Sequence, residues 1–156
     1  MEAKKNSSII KDLAHKECMD LLSSNYIGHL AFISGQNPYT VPITYYYDQA
    51  AKSIISYSDE GHKIEALRQN PTVSLGVYKI KSIENWNSVL VHGTFQELHA
   101  STAKQALHQF TEGVRKVIGH KARNFIENFS SKNYSGGMAI VYKINILSIQ
   151  GKHRGH

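Results

Sequence analysis

VPITYYYDQAAKSIISYSDEGHK, residues 41–63, is the stretch whose reading decides the fold. In its first part Val41, Ile43, Tyr45 and Tyr47 share one side of an extended chain, while Thr40, Pro42, Thr44 and Tyr46 share the other. Side chains that alternate in this way make a strand with two differently used faces. Asp48 to Lys52 reads as a turn and Ser53 to Ser58 as a short second strand. After the loop Asp59, Glu60, Gly61 comes a short helix, His62 to Gln69. Asn70 and Pro71 stop it, because proline cannot continue the helical hydrogen-bond ladder.

Working outward, Ile9 to Asn25 places Cys18, Leu21 and Leu22 on one face and predicts an opening amphipathic helix. Ile27 to Ser34 is rich in β-formers and ends in the turn cluster Gly35, Gln36, Asn37, Pro38, so a hairpin joins it to a strand over Tyr39 to Tyr47. Beyond residue 63, strands are expected over Thr72 to Ile80 and Ser88 to Leu98. Ser101 then opens a long helical stripe of Ala103, Ala106, Leu107, Phe110, Val114, Val117 and Ile118, continued by Phe125, Ile126 and Phe129 and broken near Gly119. Gly136 and Gly137 precede a last alternating run, Met138 to Ile149. Six strands in consecutive groups with two or three helices predict a mainly β (α+β) antiparallel sheet or barrel with flanking helices.

The 156 residues, 41% apolar and 19% charged, fit one globular domain, 1–156. The single cysteine, Cys18, cannot form an internal disulfide, and no apolar run follows the lysines between Met1 and Asn6. The cytoplasm is therefore the expected compartment. No stretch approaches the ~20 apolar residues that cross a bilayer as a helix, so no membrane partner is expected. The net charge of +6 is scattered (Lys52, Lys63, Arg68, Lys79, Lys81, Lys104, Arg115, Lys116) rather than gathered in a stripe. That pattern argues against nucleic acid as a partner.

Three clusters could carry chemistry. Pro42 donates no ladder hydrogen bond, so within a strand it marks an edge, a bulge or an approaching ligand. Tyr57, Ser58, Asp59, Glu60, Gly61, His62 and Lys63 run from a strand end through glycine to a helix start. Free N–H groups there, with Ser58, His62 and Lys63, supply what a phosphate needs, while Asp59 and Glu60 would oppose it if they pointed inward. Trp86, Asn87 and Ser88 offer an aromatic cover and hydrogen bonds at a strand start. Each alone is equally well an edge strand, a capped surface helix or a strand with a packed tryptophan.

In this order and spacing the three clusters resemble the pyridoxamine 5′-phosphate oxidase family of FMN-binding split barrels, and within it the nitroimidazole-resistance-like branch. The resemblance runs over Glu17, Cys18, Leu21 and Leu22; Gly28 to Phe32; Val41 to Tyr45; Ser58, Gly61, His62, Lys63, Leu67, Asn70 and Pro71; Trp86, Ser88, Val89 and Gly93; and Ile144, Ile149, Gly151 and Lys152. It implies an antiparallel six-stranded split β-barrel with flanking helices. It further implies a homodimer with two FMN sites at the subunit interface and a small-molecule substrate. Val41, Pro42, Ile43 and Thr44 would flank the flavin ring with main-chain groups, and Tyr57 and Ser58 would line the ring and ribityl chain. His62 and Lys63 would hold the phosphate, with Trp86, Asn87 and Ser88 completing the site.

The chain also departs from that family. Tyr57 stands where the nitroimidazole-resistance branch often carries histidine, and His62 where it often carries arginine or lysine. The C-terminal tryptophan and arginine motif of pyridoxamine phosphate oxidases is absent from Gly151 to His156, which argues against vitamin B6 oxidation. A flavin-dependent oxidoreductase is the first reading, without a named catalytic residue. The alternatives are a non-catalytic FMN carrier, a deazaflavin protein and a haem-binding or haem-degrading split barrel. The last is motivated by nine histidines, among them His15, His92, His99, His108 and His120, with His153 and His156 read as a mobile tail. No metal site is expected, since no His or Cys cluster has zinc-site spacing, and buried Cys18 should act as a small hydrophobe.

Overall fold

The computed structural model describes residues 9–119 and 139–155. They form β1 (Ile10–Asp12), α1 (His15–Ser23), β2 (Ile27–Ser34), β3 (Asn37–Thr44), β4 (Tyr46–Asp48), β5 (Ser53–Asp59), α2 (His62–Gln69), β6 (Thr72–Ser82), β7 (Asn85–Glu97), α3 (Ala100–Ile118) and β8 (Ala139–Arg154). The strands build one antiparallel sheet in the order β3-β2-β6-β7-β8-β5-β4, with β1 added beside β8. Its two ends meet at a seam: β3 and β5 share no ladder, but Ser56 Oγ donates to the Thr44 carbonyl across it at 2.7 Å. This is a split barrel, mainly β with flanking helices.

Eight strands stand where six were expected. Ile10 to Asp12 is a strand rather than the start of α1, because it pairs with Arg154 to Lys152. The run Tyr39 to Tyr47 breaks at Tyr45, whose N–H donates to Tyr26 O at 2.8 Å and whose hydroxyl donates to Leu22 O at 2.7 Å. Those bonds turn the chain off β2, so that Tyr46 to Asp48 pairs with β5 instead. β6 and β7 extend into a tight hairpin closing at the Ser82 and Asn85 pair, which puts Trp86 and Asn87 inside a strand. β8 runs on to Arg154 because β7 and β1 flank its last residues. His153 is therefore a strand residue and not a tail. His156, His120, Phe125, Ile126, Phe129, Gly136, Gly137 and Met138 lie outside the described residues.

The barrel interior is filled from the inward faces: Leu22, Leu30, Ile54, Leu67, Leu75 and Val89 are fully buried. Cys18 belongs to this core, and burial, then the neighbouring Glu17 charge, raises its thiol pKa, as suits a small hydrophobe. A second cluster lies under α3, where Ala106, Phe110 and Val114 pack on Ile55, Leu98 and Val141. Gly113 lets this helix lie close to β4, since a Cβ there would meet Tyr46 Cδ1 at 2.0 Å. Gly119, at φ 74°, ends the helix where the break was expected. The outward face of β2 and β6 is apolar and uncovered: Ile27 is 49%, Tyr78 48% and Ile80 71% exposed.

Candidate functional site

The seam opens into a cleft of about 230 Å³ lined by Pro42, Ile43, Thr44, Tyr57, Ser58, Asp59 and Lys63. Each element delivers its residues for a local reason. Among the described residues β3 pairs only with β2, so Pro42 sits on an edge strand, where its missing N–H leaves no partner unsatisfied, and Pro42 to Thr44 of this edge line the cleft. β5 ends at Asp59 beside β8, with Tyr57 opposite Val141 and Ser58 opposite Ile140. Gly61 then caps α2 with no side-chain hydrogen bond. Gly61 itself brings no side chain to the first-turn N–H groups of this eight-residue helix, His62–Gln69, which start beside Lys63.

The electrostatics of the cleft are mixed. Lys63 is half-buried; burial lowers its pKa, and the Asp59 carboxylate partly restores it. Tyr57 is pushed up to about 12, first by burial and then by the Asp59 charge. Its phenol is therefore a neutral hydrogen-bonding group through the physiological range. The Tyr57 ring meets Phe110 edge-on, with centroids 5.7 Å apart, and that contact couples the cleft wall to α3. Ser58 Oγ donates to the Asp59 carbonyl at 3.0 Å.

Of the residues singled out in the sequence, Pro42, Ile43, Thr44, Tyr57, Ser58 and Lys63 come together here. Val41 points inward and packs against the core. His62 turns away from the cleft: its Nε2 bonds Ser34 Oγ at 2.8 Å and its ring stands edge-on to Tyr39. The β2–β3 hairpin thus holds the imidazole, and His62 brings only its backbone to the helix start.

Trp86 and Ser88 pair with Ile80 and Tyr78 on the outward face of the sheet. Two strands, β2 and β6, separate β7 from Pro42. That is about 15 Å at the usual strand spacing, and the touching rings of His29 and Tyr78 stand between. Asn87, one residue on, faces the other side, where it lines a groove with Glu17 and Asp20 and its Oδ1 meets His153 Nδ1 at 2.5 Å.

The sequence offered little warning of two neighbours of this site. Ser56 is 1% exposed; its role depends on the non-local meeting of β3 and β5. Among the described residues the buried Tyr142 hydroxyl has no hydrogen-bond partner of normal geometry. Ser56 is the polar group beside it and tempers the rise to about 12 that burial causes. Replacing Ser56 by alanine should cost about 1–2 kcal/mol in chemical denaturation, the penalty for unpairing one buried carbonyl. A loss under about 0.3 kcal/mol would mean the seam closes without it. Among the described residues no group of three His, Cys, Asp or Glu side chains could hold a metal, and no helix is long and apolar enough to cross a membrane.

Comparison with known proteins adds the following. Residues 14–133 match the family model described as pyridoxamine 5′-phosphate oxidase. An uncharacterised Rhizobium meliloti protein is 34% identical over 92 residues, which are 59% of this chain and 60% of that protein, so the match spans well under two thirds of the relative's length. Among solved structures, a protein of Mesorhizobium loti titled as FAD-binding superposes with TM-score 0.74 at 25% identity, covering 95% of this chain and 98% of that one. A candidate 5-nitroimidazole antibiotic resistance protein of Bacteroides thetaiotaomicron superposes with TM-score 0.69 at 17% identity over 94% and 90% of the two chains. That second likeness speaks for the fold alone.

Proposed function

The chain belongs to the pyridoxamine 5′-phosphate oxidase family, and from that premise we propose that it binds a flavin, FMN, in the seam cleft and acts as a flavin-dependent oxidoreductase on a small molecule. The observation that carries this reading is the convergence of the edge strand β3, three hydroxyl side chains, a half-buried lysine and a helix start with glycine at its N-cap on one cleft. Main-chain groups of Pro42 to Thr44 suit the polar edge of a flavin ring. The hydroxyls of Tyr57 and Ser58 suit the ring and the ribityl chain. Lys63 and the first-turn N–H groups of α2 suit the phosphate.

When bound, the flavin supplies hydride or electron transfer, and the protein supplies position and electrostatics. The residues here bind and orient, and Tyr57 keeps its proton through the physiological range. The FAD named for the Mesorhizobium loti protein makes the dinucleotide the flavin to be told apart from FMN.

The cleft is shallow for such a ligand. Its volume of about 230 Å³ falls below the roughly 300–1,000 Å³ of sites that enclose a small molecule. A homodimer resolves this. The apolar outward face carrying Ile27, Tyr78 and Ile80 would be buried against a second copy, whose Trp86 and Ser88 would then cover the cleft they cannot reach within their own chain. Asn87, on the opposite face, would contribute through His153 rather than to the ligand.

The test is the absorption spectrum of freshly purified protein, with mass spectrometry of the released chromophore and sedimentation of the same sample. A yellow dimer releasing one FMN per chain is the expected result. A haem Soret band, or a colourless protein that takes up no added flavin, would overturn the reading. Release of FAD would keep the flavin and replace FMN.

A further inference from the structure

We infer that Arg68 is a positioning residue for the phosphate end of this cleft, acting by holding the Glu60 carboxylate away from it. The inference rests on the flavin reading above and concerns a residue that lines no part of the cleft. Arg68 lies in the last turn of α2, and its long side chain leans back toward the helix start, as helical side chains do. There it binds two carboxylates at once. Its Nη1 and Nη2 meet both oxygens of Glu60, the second contact at 3.1 Å. Its Nε and Nη2 meet Glu97 at 2.7 and 3.1 Å. Glu97 ends β7, so the loop glutamate is tied through one guanidinium to the barrel wall. The hydrogen bonds from Arg68 hold Glu97 below the usual carboxylate range.

The charges of the loop explain why such a tie matters. Asp59 and Glu60 precede Gly61 and Lys63, so two carboxylates compete with one ammonium where a phosphate of charge about −1.5 to −2 would sit. Asp59 lines the cleft beside Lys63. Glu60, paired with a guanidinium that never loses its proton, is the carboxylate that is neutralised. Released, its charge would lie one residue along the chain from Asp59 at the cleft wall, and a repulsion sufficient for about a tenfold change in affinity is expected. The tie itself contributes little to folding, since Arg68 and Glu60 are 40% and 41% exposed and exposed pairs are weak.

The experiment titrates FMN and riboflavin, which lacks the phosphate, into flavin-free wild-type protein and the variants Arg68→Ala, Glu60→Gln and the double variant Arg68→Ala/Glu60→Gln. Arg68→Ala is expected to weaken FMN about tenfold, leave riboflavin within about twofold and shift the melting temperature by no more than about 2 °C. The double variant should bind FMN within about twofold of wild type, and so should Glu60→Gln alone. The assignment is overturned if Arg68→Ala leaves FMN affinity unchanged, if both flavins weaken equally, or if removing the Glu60 charge fails to restore binding. Should Arg68→Ala not fold, Arg68→Gln with and without Glu60→Gln takes its place: a loss of FMN affinity that Glu60→Gln restores supports the assignment, and no loss, or a loss that is not restored, overturns it. A wild-type protein that binds riboflavin but not FMN overturns the phosphate subsite. One that binds neither overturns the flavin reading itself.

Discussion

Lys63→Ala should weaken FMN binding by about a hundredfold while leaving riboflavin within about twofold. A hydrogen bond to a charged group contributes about 1.5–3 kcal/mol, and two such decades of affinity correspond to about 2.8 kcal/mol. The upper part of that range is expected because Lys63 is half-buried in the cleft and so is less screened by solvent than a surface lysine. Its neighbour Asp59 would remain after the substitution as a negative charge beside the phosphate, adding to the loss. Riboflavin is the control that separates a lost phosphate contact from a collapsed cleft. Fluorescence titration of both flavins reads the result, and an unchanged FMN affinity would remove Lys63 from the site.

The same residue gives a pH dependence whose sign follows from its environment. Burial lowers the Lys63 pKa from the ordinary 10.5, so the unliganded protein loses this proton at lower pH than a free lysine would. A bound phosphate favours the protonated form. FMN affinity should therefore fall as the pH rises through the depressed Lys63 value, with riboflavin showing no such decline.

Phe110→Ala carries the largest expected loss of stability, about 3–5 kcal/mol, the range for truncating a buried phenylalanine. Phe110 is 1% exposed and centres the cluster that joins α3 to Ile55 and Val141. In a chain of 156 residues this should lower the melting temperature by on the order of 10 °C. Calorimetry and urea denaturation would check it, and a loss below about 1 kcal/mol would show that α3 is not anchored by this ring. Because Tyr57 leans on Phe110, flavin affinity should weaken along with stability.

Much of this was legible in the chain itself. Alternation predicted β3 and most of β8, because a period-two pattern specifies a half-buried strand without reference to its partners, while β-forming residues between turn signals predicted β2, β5 and most of β6 and β7. Pro71 and Gly119 marked two helix ends for equally local reasons, a missing N–H and a positive φ of 74°. Pro42, Tyr57, Ser58 and Lys63, in that order along the chain, already pointed to most of the cleft lining. β1 and the tail of β8 were misread because three or four residues carry too little pattern of their own. β1 is a strand because it finds the end of β8, and that end is a strand because β7 and β1 lie on either side of it.

What the sequence determined, then, is what neighbours along the chain can encode: alternation, stops, and a set of polar residues in a fixed order. The tertiary structure alone decided that Ser56 reaches Thr44 across the seam, that Ser34 draws the His62 imidazole out of the cleft, and that Arg68 takes up Glu60 and Glu97 together. The Ser56–Thr44, Ser34–His62 and Arg68–Glu97 contacts join residues from different elements that only the assembled fold brings within hydrogen-bonding distance. Hydrogen bonds and ion pairs act over a few ångströms, and local sequence carries no record of which distant residue will arrive there.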